Sequence, residues 1–401
     1  MRHWLKPALV CTALVAACSS ATTTPNAKAP AKAPPAGPTL LLATKTGVEG
    51  VSSIDGAVRY RVTGGVATAD GTQVMATEGG RLVVRDARTG TVTQSVNVGA
   101  GMTVSTIDAA GRWVALTSVP STPYLPAGRT RTEITVVHVP DSSVQRFDLS
   151  GNLAPDAFAT DGGGLFVVSY LPPEKPDRYQ ITSLNMATGE VAGIFGRQKE
   201  ALEDMRGVAG MRKLAPDGAT LYTLYLRPPD GATSDAADTR AEIHTLKLDQ
   251  FWAHCVDLPA GFGGGNLSAA ALAVSPDGTH VYAVDRAQHQ LVEVDTNTLM
   301  ITRTVDVALA QAGEPTSMVV TDDGHLYLSD GPSILVINTD TLAVAARWTT
   351  PGPVTGLVAA RNGQSLVASS PQQVATFAPS GNRQATTAVP SDATAISRIV
   401  T

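Results

Sequence analysis

The fold of this chain is decided by residues 275–285, which read Ser-Pro-Asp-Gly-Thr-His-Val-Tyr-Ala-Val-Asp. An apolar run, residues 269–275, leads into the Asp277-Gly278 step, and alternating residues follow from His280 onward. Asp-Gly tolerates the positive φ that a tight hairpin turn requires, so two antiparallel strands are predicted on either side of it.

The same unit continues beyond residue 285. Residues 290–295 alternate as a third strand, Thr296-Asn297-Thr298 forms a second turn, and residues 301–307 give a fourth strand. The stretch therefore predicts one four-stranded antiparallel sheet.

This unit recurs along most of the chain. Glycine turns recur 39 to 60 residues apart, which is typical of the blades of a β-propeller with insertions in its middle members. The turns are Asp70-Gly71, Ala110-Gly111, Asp161-Gly162, Asp217-Gly218, Asp277-Gly278, Asp323-Gly324 and Asn362-Gly363. We therefore predict an all-β fold, a β-propeller.

The repeat resembles the YVTN-type and WD40-like propeller repeats. The resemblance is carried by residues 275–285 and 291–298, and again by residues 322–328 and 335–340. It covers most of the folded chain and implies architecture only, because the tetrapeptide Tyr-Val-Thr-Asn itself is absent from the sequence.

The blade count follows from the two ends of the chain. Residues 393–400 give a single first strand after the last complete unit, while residues 40–44, 51–54 and 58–62 give three strands before the first. Together they predict a composite closing blade that hides two sheet edges, and a total of eight four-stranded blades. Seven blades remain the alternative, if one of the weaker sets is not a full blade.

The first residues carry an export signal. Arg2 and Lys6 precede a short apolar run, residues 8–14, and three small residues, 15–17, stand directly before Cys18. This pattern resembles the lipobox of bacterial lipoproteins, which implies cleavage before Cys18 and its lipidation, with palmitate among the acyl groups. The alternative is an ordinary signal peptide followed by an incidental cysteine. The apolar run is too short for a spanning helix.

Three regions follow from this reading: a signal peptide (1–17), a lipidated cysteine with a Pro/Ala/Thr-rich tether (18–38) and one propeller domain (39–401). A proline-rich tether is extended and buries no core. The expected location is the bacterial cell envelope, anchored to the cell membrane with the domain on the extracytoplasmic side; inner or outer membrane is left open.

The net charge of the predicted folded domain limits the classes of partner that it can bind. Residues 1–38 hold four basic and no acidic residues, which leaves 26 basic against 35 acidic residues in the remainder, a net charge of −9. Because nucleic acids and anionic lipid surfaces select clustered Lys and Arg, neither is expected as the main partner.

Cys255 is the one cysteine that remains in the predicted mature domain. We expect it to be a small buried hydrophobic residue.

A candidate binding surface lies in three long connections between second and third strands, residues 119–131, 171–179 and 226–241. They belong to successive blades and share one face, and residues 197–206, a possible short helix, join them. Mixed charge and tyrosines suit polar recognition. The candidate residues are Tyr124, Arg129, Arg131, Glu174, Lys175, Asp177, Arg178, Tyr179, Arg227, Asp230 and Arg240. Solvated loops that merely tolerate insertion are the alternative.

Catalytic signatures are weak. The histidines at 138, 244, 254, 280, 289 and 325 lack metal-ligand spacing, so cross-strand or surface positions are expected, with no metal and no cofactor. The sequence contains neither a nucleophile elbow nor a phosphate loop. We therefore expect no catalytic residue. The predicted function is that of a binding or scaffolding module for a protein or envelope polymer. The alternative is a lactonase- or hydrolase-like enzyme with a polar site at the central funnel; ligand identity and oligomeric state stay open.

Overall fold

Eight sheets, each with four antiparallel strands, form the blades of a β-propeller in the computed structural model. It describes residues 37–118, 125–202, 204–226, 241–263, 267–310, 315–360, 365–390 and 393–400. Within these residues the helical content is one 3-10 turn, Leu267–Ala269. The prediction of eight blades is confirmed.

In seven of the blades the strands follow one another along the chain from the inner to the outer edge, and in the closing blade the last strand of the chain is the inner one. The closing blade contains β1 (Thr39–Thr44), β2 (Gly47–Ser52), β3 (Val58–Thr63) and β33 (Ala393–Val400). Blade 1 contains β4 (Val66–Ala67), β5 (Gln73–Glu78), β6 (Arg81–Asp86) and β7 (Val92–Asn97). Blade 2 contains β8 (Thr103–Ile107), β9 (Trp113–Thr117), β10 (Arg131–His138) and β11 (Ser143–Ser150). Blade 3 contains β12 (Asn152–Phe158), β13 (Gly164–Leu171), β14 (Arg178–Asn185) and β15 (Val191–Gly193).

The second half of the ring repeats the plan, with one addition. Blade 4 contains β17 (Val208–Leu214), β18 (Thr220–Leu226), β19 (Ala241–Lys247) and β20 (Trp252–Asp257), and β16 (Phe195–Gly196) adds a fifth strand to its outer edge. Blade 5 contains β21 (Ala270–Val274), β22 (His280–Asp285), β23 (Gln290–Asp295) and β24 (Met300–Asp306). Blade 6 contains β25 (Met318–Thr321), β26 (His325–Asp330), β27 (Ser333–Asn338) and β28 (Val344–Thr349). Blade 7 contains β29 (Gly356–Ala359), β30 (Leu366–Ser370), β31 (Gln373–Phe377) and β32 (Arg383–Ala388).

The closing blade joins the two ends of the chain as predicted. Strand β33 is its inner strand and pairs antiparallel with β1, with Thr39 opposite Val400 and Leu42 opposite Ile396. Ile396 is buried in a core cluster with Leu40 and Leu42. The ring is thus closed by hydrogen bonds between residues that are far apart in sequence, and β33 covers the edge of β1 that would otherwise be unpaired.

Side-chain hydrogen bonds explain why the turn sequence recurs. In blade 5 the Ser275 hydroxyl donates to Asp277 (2.6 Å), which also accepts the backbone N–H of Thr279 (3.0 Å). In the second turn of that blade, Asp295 accepts the backbone N–H of Thr298 (2.7 Å). Short Asp and Ser side chains favour such local turns, so each sheet specifies its hairpins independently of its neighbours.

The hydrophobic core is divided among the blade interfaces. Alternate residues of each strand face opposite neighbours, so blade 5 packs against blade 4 with one face and against blade 6 with the other. The turns after the first and third strands form one face of the ring, the turn face. The connections after the second and fourth strands form the opposite face, the loop face, where the candidate residues lie.

Candidate functional site

The first two candidate loops lie in contact. The backbone N–H of Arg129 donates to the carbonyl of Pro173 (2.9 Å). The Nδ2 atom of Asn152, a fully buried residue, donates to the carbonyls of Ala127 (3.0 Å) and Pro173 (3.2 Å). Residues 125–130 and 171–178 therefore form one hydrogen-bonded surface, which we call the loop wall.

Part of the predicted surface lies outside the described residues. This applies to Tyr124 and to Arg227, Asp230 and Arg240 of the third loop. The structure therefore describes candidate residues in the first two loops alone.

The two arginines of the first loop have different partners: Arg131 is held within blade 2, whereas Arg129 bonds to both blade 2 and blade 3. Arg131 forms a two-pronged ion pair with Asp148 on the adjacent strand, with Nε–Oδ1 at 3.0 Å, and both side chains are exposed. The Arg129 guanidinium donates to Thr132 Oγ1 (3.1 Å) and to the carbonyl of Leu153, and its burial lowers the pKa of the group. Arg131 is accessible to a partner, whereas Arg129 mainly holds the loop in place.

The second loop divides into an exposed tip and a buried base. Glu174, Lys175 and Asp177 are exposed, and Arg178 donates to Asp177 (2.8 Å). Tyr179 was expected on the recognition surface, yet it is 4% exposed. Tyr179 lies at the start of β14, and its aromatic side chain points towards blade 4. It is therefore a core residue and not a surface contact.

Tyr179 belongs to an aromatic cluster between blades 3 and 4. Its ring centroid lies 5.9 Å from that of Tyr170 and 5.8 Å from that of Tyr225. Burial raises the pKa of Tyr170, Tyr179 and Tyr225. The three phenols therefore stay protonated at neutral pH.

The expectation of a short helix over residues 197–206 is wrong for the residues described there. Instead β16 pairs parallel with β20, with Phe195 opposite Trp252, and the chain then returns to form a two-way backbone bridge between Met205 and Tyr179. Arg197 lies at the turn face, where it donates to the carbonyl of Thr298 in blade 5 (2.9 Å). Pairing with the free edge of blade 4 replaces the local helix.

Residues 200–202 and 204–206, which we call the returning segment, border a crevice between blades 3 and 4 with a volume of about 630 Å³. The segment contributes one side of it, and the face of blade 4 contributes the other. The lining residues are Ile181, Glu200, Ala201, Leu202, Asp204, Met205, Arg206, Tyr225, Glu242, His244, Ala253, His254, Cys255 and Asp257. The second candidate loop reaches it through Arg178, whose Nε lies 2.5 Å from Asp204.

On the blade 4 side of the crevice, four polar side chains form two neighbouring cross-strand pairs. Strands β19 and β20 pair Glu242 with Asp257 and His244 with Cys255. Residues paired in this way project from the same face of a sheet, so all four meet on the side turned towards blade 3. Burial decreases from His244, through the half-buried Glu242 and Cys255, to the exposed Asp257.

His244 is neutral in this setting. The residue is 3% exposed, and its burial, together with the nearby Arg212 and His254, lowers its pKa from 6.5 to about 4. Its Nε2 atom has no hydrogen-bond partner among the described residues. Arg212 is itself paired with Asp156 of the inner strand of blade 3 (2.9 Å).

Sequence reasoning placed His244 at a cross-strand position and Cys255 in the interior, but did not bring them together. The signal that could have brought them together was the register of the β19–β20 hairpin. In an antiparallel hairpin, the residue numbers of directly opposed residues have a constant sum. Residues 242 and 257 satisfy it, and so do 244 and 255. The position of residues 195–206 had no such signal.

Two further observations concern the described part of the chain. It holds no group of three or more His, Cys, Asp or Glu side chains arranged to bind a metal ion. In the same residues no helix is long and apolar enough to cross a membrane.

Comparison with known proteins shows similarity of fold. No protein-family model and no curated protein matches the chain. Among solved structures, the chain is similar to dihydro-heme d1 dehydrogenase NirN in complex with DHE, with 14% identity and a TM-score of 0.53 over 88% of this chain and 73% of that chain. It is also similar to AztD from Citrobacter koseri, with 10% identity and a TM-score of 0.55 over 90% of this chain and 97% of that chain. At these identities the likeness supports the β-propeller fold alone.

Proposed function

We propose that this protein is a lipid-anchored binding or scaffolding module of the bacterial cell envelope, which recognises a protein or an envelope polymer through its loop wall. Cys18 provides the anchor and residues 19–38 the tether. The ring provides a rigid support, so recognition needs no large conformational change.

The observation that carries this proposal is the joining of two loops from different blades by the buried Asn152 amide (3.0 and 3.2 Å). A surface loop that merely tolerates insertion has no need of such a link, whereas a binding loop gains from being ordered before its partner arrives. The tip that this link supports carries the exposed charges of Glu174, Lys175 and Asp177.

The enzymatic alternative places its chemistry at the central funnel. The inner strands of blades 3 and 4 carry the Asp156 carboxylate and Arg212, which binds it (2.9 Å). The NirN structure, a dehydrogenase in complex with DHE, is a propeller of related fold that is an enzyme. Since the carboxylate here is already held by an arginine, the loop wall supports the binding function better.

The test is crosslinking mass spectrometry on intact cells that carry the full lipoprotein or an E174K/K175E variant. The double change exchanges two exposed charges without altering net charge, and the fold uses the backbone rather than the side chain of Lys175. The matched control is E190K, an exposed carboxylate on the turn face of the same blade. We expect one partner to crosslink to the wild type and to E190K and to be reduced in E174K/K175E, because rim charges steer association. Equal crosslinking in all three would contradict the proposal.

A further inference from the structure

A second crevice lies on the other side of blade 4, between blades 4 and 5. Residues from the turns around positions 217, 250, 278 and 297 line it, so it lies at the turn face, and we call it the turn-face pocket. Its volume of about 400 Å³ is within the range of about 300–1,000 Å³ that is typical of ligand pockets. It lies on the face opposite the loop wall and is independent of the recognition surface proposed there.

One buried hydroxyl group in this pocket has no partner. Thr245 is 2% exposed, and its Oγ1 atom makes no hydrogen bond with any described residue. Thr245 lies directly opposite Tyr222 on the neighbouring strand, and both residues line the pocket. Because a buried hydroxyl without a partner is unfavourable, a ligand that bonds to it in the pocket gains binding energy.

The equivalent crevice between blades 5 and 6 shows how that position is satisfied elsewhere. Its volume is about 430 Å³, and Tyr282 lines it as Tyr222 lines the turn-face pocket. Glu293 stands opposite Tyr282, in the position that Thr245 occupies in blade 4. The Glu293 carboxylate accepts from Arg303 (Nε–Oε1 2.8 Å), so the polar groups of that crevice bind each other. In blade 4 the shorter threonine leaves its hydroxyl available to a ligand.

The charged side chains of the turn-face pocket are bound within the protein. Arg197 donates to the carbonyl groups of residues 297 and 298 (2.6 and 2.9 Å), and Lys247 donates to a threonine hydroxyl (2.9 Å). Asp217 and Asp277 each accept a backbone N–H of their own turn (2.8 and 3.0 Å). Two positive and two negative charges balance, so the pocket favours neither an anion nor a cation.

The groups that a ligand meets are therefore mainly neutral. Burial, together with the nearby Asp217, raises the pKa of Tyr222 to about 12, so its phenol stays protonated at neutral pH and can both donate and accept. The exposed amide of Asn297 can do the same, and the half-buried indole of Trp252 adds an aromatic surface. Hydroxyl, amide and aromatic groups in one pocket match a ligand that carries hydroxyl groups on a compact ring.

We propose that the turn-face pocket binds one neutral sugar unit, either free or at the end of an envelope polysaccharide. A sugar hydroxyl donates to the Oγ1 atom of Thr245 or accepts from it. Further hydroxyls bond to Tyr222 and Asn297, and the C–H groups of the sugar ring pack against Trp252.

The probes are three neutral sugars: methyl glucoside, methyl galactoside and methyl mannoside. Binding to the full chain, in a detergent without a sugar head group, is measured by titration calorimetry and by saturation-transfer NMR. We expect at least one of the three to bind in the millimolar range. Its amino-sugar and uronic-acid counterparts should bind no better, since the charged groups of the pocket already have partners. Tighter binding of the matching disaccharide would support the end of a polymer, and equal binding would support a free sugar.

The variant is T245V, with T135V as its matched control. Both threonines lie on the third strand of a blade, both are buried, and the Oγ1 atom of each has no partner among the described residues. Valine keeps the shape and removes the hydroxyl, so both variants should be at least as stable to heat as the wild type. Only T245V should weaken sugar binding, by about threefold to tenfold, which corresponds to one neutral hydrogen bond.

Three results would overturn the proposal. The first is that none of the neutral sugars binds at millimolar concentration. The second is that T245V and T135V change sugar binding alike. The third is that an amino sugar or a uronic acid binds more than about tenfold more tightly than the neutral sugar, which would identify a site for a charged ligand. The E174K/K175E variant should bind the sugar as the wild type does, so this test and that of the loop wall fail independently.

Discussion

Replacing His244 by leucine should remove a specific part of the protein's sensitivity to acid. The imidazole is buried and its pKa is lowered from 6.5 to about 4, chiefly by burial and further by Arg212 and His254. Between these values the unfolded chain binds a proton that the folded chain does not. Stability is therefore lost as the pH falls below 6.5, and the loss is complete near pH 4.

The magnitude follows from the two pKa values. Relative to pH 7, the His244 ring costs the folded state about 2 kcal/mol at pH 5 and about 3 kcal/mol at pH 4. Leucine cannot be protonated and leaves no buried nitrogen without a partner. At pH 7 we expect H244L to lie within about 1 kcal/mol of the wild type, because the orphaned nitrogen is lost together with the ring.

The assay is urea unfolding of wild type and H244L at pH 7 and pH 5. Carboxylates elsewhere contribute equally to both proteins, so the difference between them isolates the imidazole. H254L, which removes a half-buried histidine from the adjacent strand, controls for the loss of a histidine as such. If H244L and the wild type lose stability in parallel between the two pH values, His244 is not a buried neutral base and the reasoning fails.

Three further outcomes test the fold. I396A removes a side chain that is 5% exposed in the core of the closing blade, and thermal unfolding should show a loss of about 2–5 kcal/mol, against a small change for the exposed T394A. G56A places a Cβ atom 1.9 Å from a carbonyl oxygen of blade 7 at a φ of +73°, whereas G64A, at +63°, meets nothing within 4 Å. Urea unfolding should therefore show a larger loss for G56A than for G64A, and equal losses would deny the close approach. N152A should cost about 1–3 kcal/mol and speed proteolysis of residues 125–130, while unchanged cleavage would mean that the amide does not hold the loops.

The architecture could be predicted because it is written in local chemistry. Each Asp-Gly step specifies a hairpin through its own hydrogen bonds, as Asp277 does, and the alternating residues beside it specify the faces of the strands. The closing blade followed from counting strands at the two ends of the chain, and the pairing of Thr39 with Val400 confirms it.

The crevice could not be predicted because it depends on two blades and on one irregular segment. Residues 197–206 are rich in helix-forming residues, yet their neighbours Phe195 and Gly196 pair with the edge of blade 4. Nothing local signals that edge, since it is created only when blade 4 has folded. Tyr179 shows the same limit: it follows the charged residues Asp177 and Arg178 in the sequence, but its aromatic ring completes a core between blades.

The closing blade also fixes the face on which the chain enters the ring. Because Thr39 begins β1 beside the end of β33, the chain enters the ring on the turn face, and the loop wall lies on the opposite face. Under the proposed lipid anchor, the tether therefore joins the ring on the face opposite the loop wall. The loops that the proposal assigns to recognition are therefore not covered by the chain where it enters the ring.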